Sequence, residues 1–269
     1  MINVSLPALA LLQIPRLELS GRRLIPISMP WLMFAIVAAT MWVIGERAGL
    51  RRTTAGALIL TSGLANTSFM GVPMIEAFYG PHYMGIGLLI DQFGTYLVLS
   101  TLGLAVACVC SQGTASVGEI ARRVATFPPL IPLAVAVALS VGQVAYPPVV
   151  TTLLQRLADT LAPLALVSVG LQLRLGALKG YLGELSFGLG VKLLAAPFLL
   201  MLLYVWLVGV GGNLTRVTIF EGAMGPQIGG AIVATQYGLD PPLMTLMVGI
   251  GTLIAFVSLQ AWWYLLQFI

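Results

Sequence analysis

TSGLANTSFMGVPMIEAFYG, residues 61–80, and EGAMGPQIGGAIVATQYG, residues 221–238, are apolar enough for a membrane yet too interrupted to be plain membrane helices. Each is rich in glycine and small polar residues, and each carries a central proline, Pro73 in the first and Pro226 in the second. Proline has no N–H to give and its ring clashes with the preceding turn, so both helices are expected to be interrupted there. An interruption leaves N–H and C=O groups without partners, and hydrocarbon supplies none; such groups must face protein, water or a ligand. The half-helix after a break presents free N–H groups and a positive dipole end, suited to an anion. The half before it offers carbonyls, suited to a cation. Asn66, Thr67 and Ser68 beside the first break, and Gln227 in the second, add neutral donors and acceptors. One such helix is equally well explained by a kink that packs closely through glycine. Two of them, in corresponding places, point to a binding site.

The rest of the sequence agrees with a membrane setting. Of 269 residues, 59% are hydrophobic and 8% charged, with a mean hydropathy of +1.00. A soluble domain carries about a quarter of its residues charged, so most of this exterior faces lipid. The formal charge of +4 lies in short loops with no basic stripe, which excludes a nucleic-acid partner. Cys108 and Cys110 stand close together without a histidine or cysteine cluster around them; ordinary packing is expected, and no metal site. The first apolar stretch has neither a basic flank nor a small-residue cleavage site, so no cleavable signal peptide is expected.

At about 20 apolar residues per crossing, spans fall near 28–45, 54–79, 82–110, 128–145, 149–171, 183–210, 214–237 and 241–268, after a shorter piece at 4–16. Gly80-Pro81 and Asp240-Pro241-Pro242 separate spans, and Pro147-Pro148 opens one. The longest polar connection, 111–127, divides the chain into 1–110 and 128–269. These parts match each other in order: Pro7 with Pro163 at an offset of 156, Tyr79-Gly80 with Tyr237-Gly238 at 158, and Gly94-Thr95 with Gly251-Thr252 at 157. The helix at 128–145 would have its counterpart before residue 1, so the first copy lacks its opening helix. A full copy then has five spans, and an odd number sends the two copies into the membrane from opposite sides. The expected fold is an all-α integral membrane protein of two inverted repeats, nine spans in a four-plus-five arrangement. Loop charge orients it: Arg47, Arg51, Arg52, Arg122, Arg123, Arg174 and Lys179 against Arg16, Arg22, Arg23 and Arg216. The richer side is cytoplasmic, with the N-terminus inside and the C-terminus outside in the plasma (inner) membrane.

Three segments resemble a known family: GLANTSFMGVPMIEAFYG at 63–80, VKLLAAPF at 191–198, and AMGPQIGGAIVATQYGLDPP at 223–242. They are similar to the auxin efflux carriers, which include plant auxin exporters and bacterial proteins described as malonate and malate permeases. The order of helices extends the resemblance over almost the whole chain. It implies ten helices in two inverted repeats, with the fourth helix of each half broken and the two crossing at the substrate site. This chain departs from the pattern by starting at the family's second helix, and its two prolines do not align under the 157-residue offset. Sodium/bile-acid symporters, in the same superfamily, share the fold.

Ionisable groups within spans cost several kcal/mol each and mark function by default. Asp91, Arg156, Asp159, Lys192, Glu76 and Glu221 qualify. Arg156 and Asp159, three apart on one helix, are placed to pair locally. Lys192 and Asp159 stand at similar depths, which allows an interhelical pair. Glu221 lies one turn before Pro226, where carbonyls are released, and is suited to a proton or to Na⁺. Glu76 is close to the outer end, and His82, the single histidine, sits at a turn.

The reading that unites these features is a secondary transporter of a small organic anion. The substrate carboxylate would sit among Asn66, Thr67, Ser68, Pro73, Pro226 and Gln227, with Glu221, Asp91, Lys192 and Asp159 as coupling groups. No cofactor is expected beyond H⁺ or Na⁺ as coupling ion, and the sodium-coupled form is the alternative within the same class. An intramembrane enzyme is the remote alternative from another class; it would need a Ser/His or Asp/Asp pair or a metal cluster, and the sequence offers one peripheral histidine, no HExxH and no convincing acid pair. A channel would need a span lined by regularly spaced polar residues. Lipid-facing helices at the repeats' periphery leave room for a homodimer.

Overall fold

The computed structural model describes residues 4–13, 15, 24–111, 117–126, 130–142, 144, 146–160, 164, 167 and 178–269, and all its regular elements are helical. In chain order they are α1 (Ser5–Gln13), α2 (Leu24–Arg47), α3 (Arg52–Ser62), α4 (67–79), α5 (Met84–Cys110) and α6 (Val117–Ala125). They continue with α7 (Leu130–Val141), α8 (Pro148–Asp159), α9 (Leu178–Leu207), α10 (Asn213–Gly222), α11 (Ile228–Gln236) and α12 (Pro241–Leu266). By length and composition α2, α5, α9 and α12 are each able to cross a membrane. The pairs α3–α4 and α10–α11 are the two interrupted helices. The connection at 111–127, expected as a polar link, carries α6. Arg16, Arg22, Arg23 and Arg174, used above for orientation, and most of the repeat segment at 162–176 lie outside the described residues.

The helices fall into two packed groups. In the smaller, α1 lies against α7 and α8, and the Ser5 and Thr160 hydroxyls meet at 2.9 Å. In the larger, α2 to α5 and α9 to α12 share one core, whose centre includes Met29, Met33, Leu58, Leu60, Phe220, Met224 and Met247. The groups meet through a small apolar patch in which Tyr96 and Ala136 pack with Leu11, Phe93, Leu97 and Val137.

Long helices in this core are not uniform. α5 widens into π-type turns at Ile90–Thr95 and Leu99–Gly103, and α9 at Val191–Ala195 and Leu202–Leu207. A π-type turn shifts the hydrogen-bond register and frees a carbonyl. In α5 the Phe93 carbonyl accepts the Trp31 indole N–H at 3.3 Å, and in α9 the Leu193 carbonyl accepts that of Trp262 at 2.7 Å. Each indole thus locks a neighbouring helix, α2 or α12, onto a widened turn. Those same turns carry the buried charges Asp91 and Lys192.

Candidate functional site

The two interrupted helices cross where both backbones are unwound. Leu64–Asn66 and Gly225–Gln227 run antiparallel with Ala65 opposite Pro226. The Asn66 N–H donates to the Gly225 carbonyl at 2.9 Å, and the Gln227 N–H to the Leu64 carbonyl at 3.3 Å. Each break therefore satisfies part of the other, which answers the need for partners that hydrocarbon cannot meet. Pro226 lies in its break, its ring against Gly251 of α12, where an added Cβ would come within 2.8 Å of it.

Pro73 departs from expectation. The first break spans Gly63 to Asn66, and Pro73 lies beyond it, at the start of the α-helical part of α4, exposed. The π-type turn Thr67–Gly71 leads directly into the α-helical part that holds Pro73, so the helix runs through the proline without a break. α4 instead starts at Asn66, whose side-chain oxygen caps it by accepting the Phe69 N–H at 3.2 Å.

Asp91 gathers the polar residues of this end. Thr67 donates to its Oδ1 at 2.6 Å, Ser68 donates to the same oxygen, and Gln92 Nε2 donates to Oδ2 at 2.7 Å. The carboxylate thus lies against the first turn of α4, the positive end of that half-helix. Among the described residues no such acid stands over α11. Its extended Gln227 makes no side-chain cap, Gln227 Oε1 is buried without a hydrogen bond, and the first-turn N–H groups have no partner within the helix. Between the two half-helices lies a small pocket lined by Asn66, Ser68, Asp91, Gln92, Tyr96 and Gln227 together with Phe69, Leu99 and Gly229.

Glu221 and Lys192 sit at the carbonyl end of α10, both wholly buried. Lys192 Nζ donates to the Gly222 carbonyl at 2.9 Å and lies 3.9 Å from Met33 Sδ. The Glu221 carboxyl points between Gly71 of α4 and Gly87 of α5, so close that a Cβ on Gly71 would collide with both its oxygens. Neither oxygen has a hydrogen-bond partner. Its charge is attracted by Lys192 and repelled by Asp91.

The remaining sequence candidates lie elsewhere. Asp159 is exposed at the end of α8 and accepts a hydrogen bond from Gln155 at 2.7 Å, so it does not pair with the buried Lys192. Arg156 is also exposed, and among the described residues the one ion pair joins Arg51 to Asp240 rather than Arg156 to Asp159. Glu76 and His82 are exposed. Sequence reasoning missed Gln92 and Tyr96, and it also missed a second buried acid cluster. Asp240 accepts from Arg51 at 3.0 Å, Thr54 at 2.7 Å and Tyr181 at 2.8 Å, holding α3, α9 and the start of α12 together.

Residues 113–263 match the family described as membrane transport proteins. The chain belongs to the auxin efflux carrier family. Over 97% of its length this family member is 26% identical to a protein of Methanothermobacter thermautotrophicus, covering 85% of that protein; it is described as an uncharacterized transporter. A second uncharacterized transporter, from Methanocaldococcus jannaschii, is 25% identical over 99% of this chain and 88% of its own. Family and relatives agree with a multi-pass membrane protein that transports, and neither names a substrate.

Proposed function

We propose that this auxin efflux carrier family member moves a small organic anion across the plasma (inner) membrane by alternating access, binding it at the crossing of α3–α4 and α10–α11. The observation that carries the reading is the small pocket between the crossed half-helices, a largely apolar space with polar side chains set into its lining. One wall is the uncapped positive end of α11 with the unpaired Gln227 oxygen beside it, and Asn66, Gln92 and Asp91, whose carboxylate already accepts from three donors, complete the polar lining. A carboxylate meets the first-turn N–H groups of α11 there without burying an unpaired cation. Antiparallel pairing of the two breaks supports the inverted-repeat, nine-span plan, and the small patch between the two helix groups supports rocking of one against the other.

Charge balance points to the coupling ion. Asp91 and Glu221 outnumber Lys192 at the crossing, and a bound carboxylate adds one more negative charge. Asp91 already has three donors; Glu221 has none. A proton carried on Glu221 offsets the substrate's charge.

Thermal unfolding of the detergent-purified protein with a panel of small mono- and dicarboxylates tests the site, because a ligand that binds only the folded state raises the midpoint by mass action. A carboxylate that raises the midpoint of the wild type, and fails to raise that of Asn66→Ala or Gln227→Ala, places binding at the crossing. A panel without any shift, or shifts that survive both substitutions, removes it.

A further inference from the structure

One end of the larger helix group collects several positive charges that the crossing does not use. α2 finishes at Arg47 and α3 begins at Arg52. They lie side by side there, so that a Cβ on Gly45 would come within 3.5 Å of that of Ala55. α3 also packs on the end of α5, where a Cβ on Gly56 would stand 2.5 Å from that of Cys110. α9 begins at the same end, tied in because Tyr181 and Arg51 both donate to Asp240. Arg51 is thereby engaged. Arg47, Arg52 and Lys179 are exposed and, among the described residues, belong to no ion pair.

α6 completes this end. It packs on the last turns of α5. Along it Val117, Ile120, Ala121 and Val124 recur at intervals of three and four, while Glu119, Arg122, Arg123 and Thr126 fall between them. That pattern gives a helix one apolar face and one charged face. Ile120 is half-buried against the core, but Ala121 of the same face is exposed, and so is Arg122. Protein therefore covers only part of the apolar face. A helix of this kind rests in the plane of the membrane surface, its apolar flank among acyl chains and its charges among headgroups. Acids at this end are fewer: Glu46 is exposed, Glu119 lies on α6, and Asp240 is occupied.

We propose that an anionic phospholipid binds at this end, its phosphate between Arg52 at the start of α3 and Arg122 of α6, with Arg47 and Lys179 widening the positive field around it. Guanidinium groups match a phosphate in shape as well as charge, offering two parallel N–H donors to its oxygens. Net charge selects the headgroup: a choline lipid carries the same phosphate but brings its own cation into a field that repels it. Acyl chains select a lipid over a soluble phosphate, because only a lipid covers the exposed apolar flank of α6. The site does not rest on the function proposed above, since nothing transported enters it.

The test is thermal unfolding of the delipidated protein in detergent, with dioctanoyl phosphatidylglycerol, dioctanoyl phosphatidylcholine or sodium phosphate added, since a ligand of the folded state raises the midpoint by mass action. Phosphatidylglycerol is expected to raise it by several degrees, saturably, and the other two to leave it unchanged. The double variant Arg52→Gln, Arg122→Gln alters two exposed side chains. It should keep the lipid-free midpoint and lose most of the gain, whereas Arg52→Lys, Arg122→Lys should keep part of it. Equal gains from the two lipids overturn the proposal, as does a phosphatidylglycerol gain that persists in the folded glutamine variant. A gain from sodium phosphate as large as that from the lipid also overturns it, marking a site for a soluble anion. If the glutamine variant does not purify, native mass spectrometry of the wild type offered both lipids in equal amounts decides. Preferential retention of phosphatidylglycerol supports the site, and equal retention removes it. Either failure leaves the carboxylate test of the crossing unaffected.

Discussion

Glu221 shows how glycine can be chosen by a distant side chain. Gly71 and Gly87 lie on different helices, and a Cβ on either would meet the Glu221 carboxyl, on Gly87 at 2.9 Å from Oε1. Gly71→Ala is expected to cost about 1–3 kcal/mol, the usual price of overpacking, seen as a lower unfolding midpoint. In a Glu221→Ala background the same substitution should cost at least about 1 kcal/mol less, because contacting residues are not additive. Equal losses in both backgrounds would mean that the carboxyl does not rest there. Glu221→Gln keeps the shape and cannot take up a proton. If the proton rides on this residue, uptake into proteoliposomes becomes independent of an imposed pH gradient while carboxylates still stabilise the variant. These glycines were not legible from sequence, since their reason is a side chain that arrives from far along the chain. The acid itself was legible, as an ionisable residue one turn before a proline.

At the scale of elements, the sequence marked both interrupted helices correctly and misplaced one interruption. Pro226 lies in its break, whereas Pro73 is accommodated at the start of the α-helical part of α4, and the first break follows from Gly63 and the Asn66 cap instead. Depth along a helix also misled: Lys192 and Asp159 are level by counting, but depth says nothing about which helices are neighbours. Asp240 reads as a turn residue before two prolines, yet it is 6% exposed and adopts φ 39, a left-handed conformation. Its three donors come from segments that are remote in sequence. Asparagine tolerates this conformation and alanine does not, so Asp240→Asn should be the milder change. Asp240→Ala should lose about 1–3 kcal/mol or more from the donors left unpaired, measured as a further drop in midpoint. A reversed order would show that backbone conformation and donor loss have been misjudged.

Across the whole molecule, the division into a group of α1, α7 and α8 and a larger group around the crossing is a property of contacts, and no local pattern announces it. If transport requires the groups to move past each other, tying them should stop it. Leu97→Cys and Val137→Cys, on either side of the shared patch, joined by a reducible bifunctional reagent, are expected to abolish uptake, with recovery on reduction. Full uptake by the tethered protein would exclude rocking at this patch. The antiparallel pairing of Leu64–Asn66 with Gly225–Gln227 bears on synthesis as well. Until the ribosome has released Gln227, the Leu64 carbonyl and the Asn66 N–H wait in the bilayer for partners encoded more than half the chain downstream. The first interrupted helix can be inserted early but completed only late, so a nascent chain stalled before Gly225 should be a preferred substrate for the membrane's chaperones and proteases.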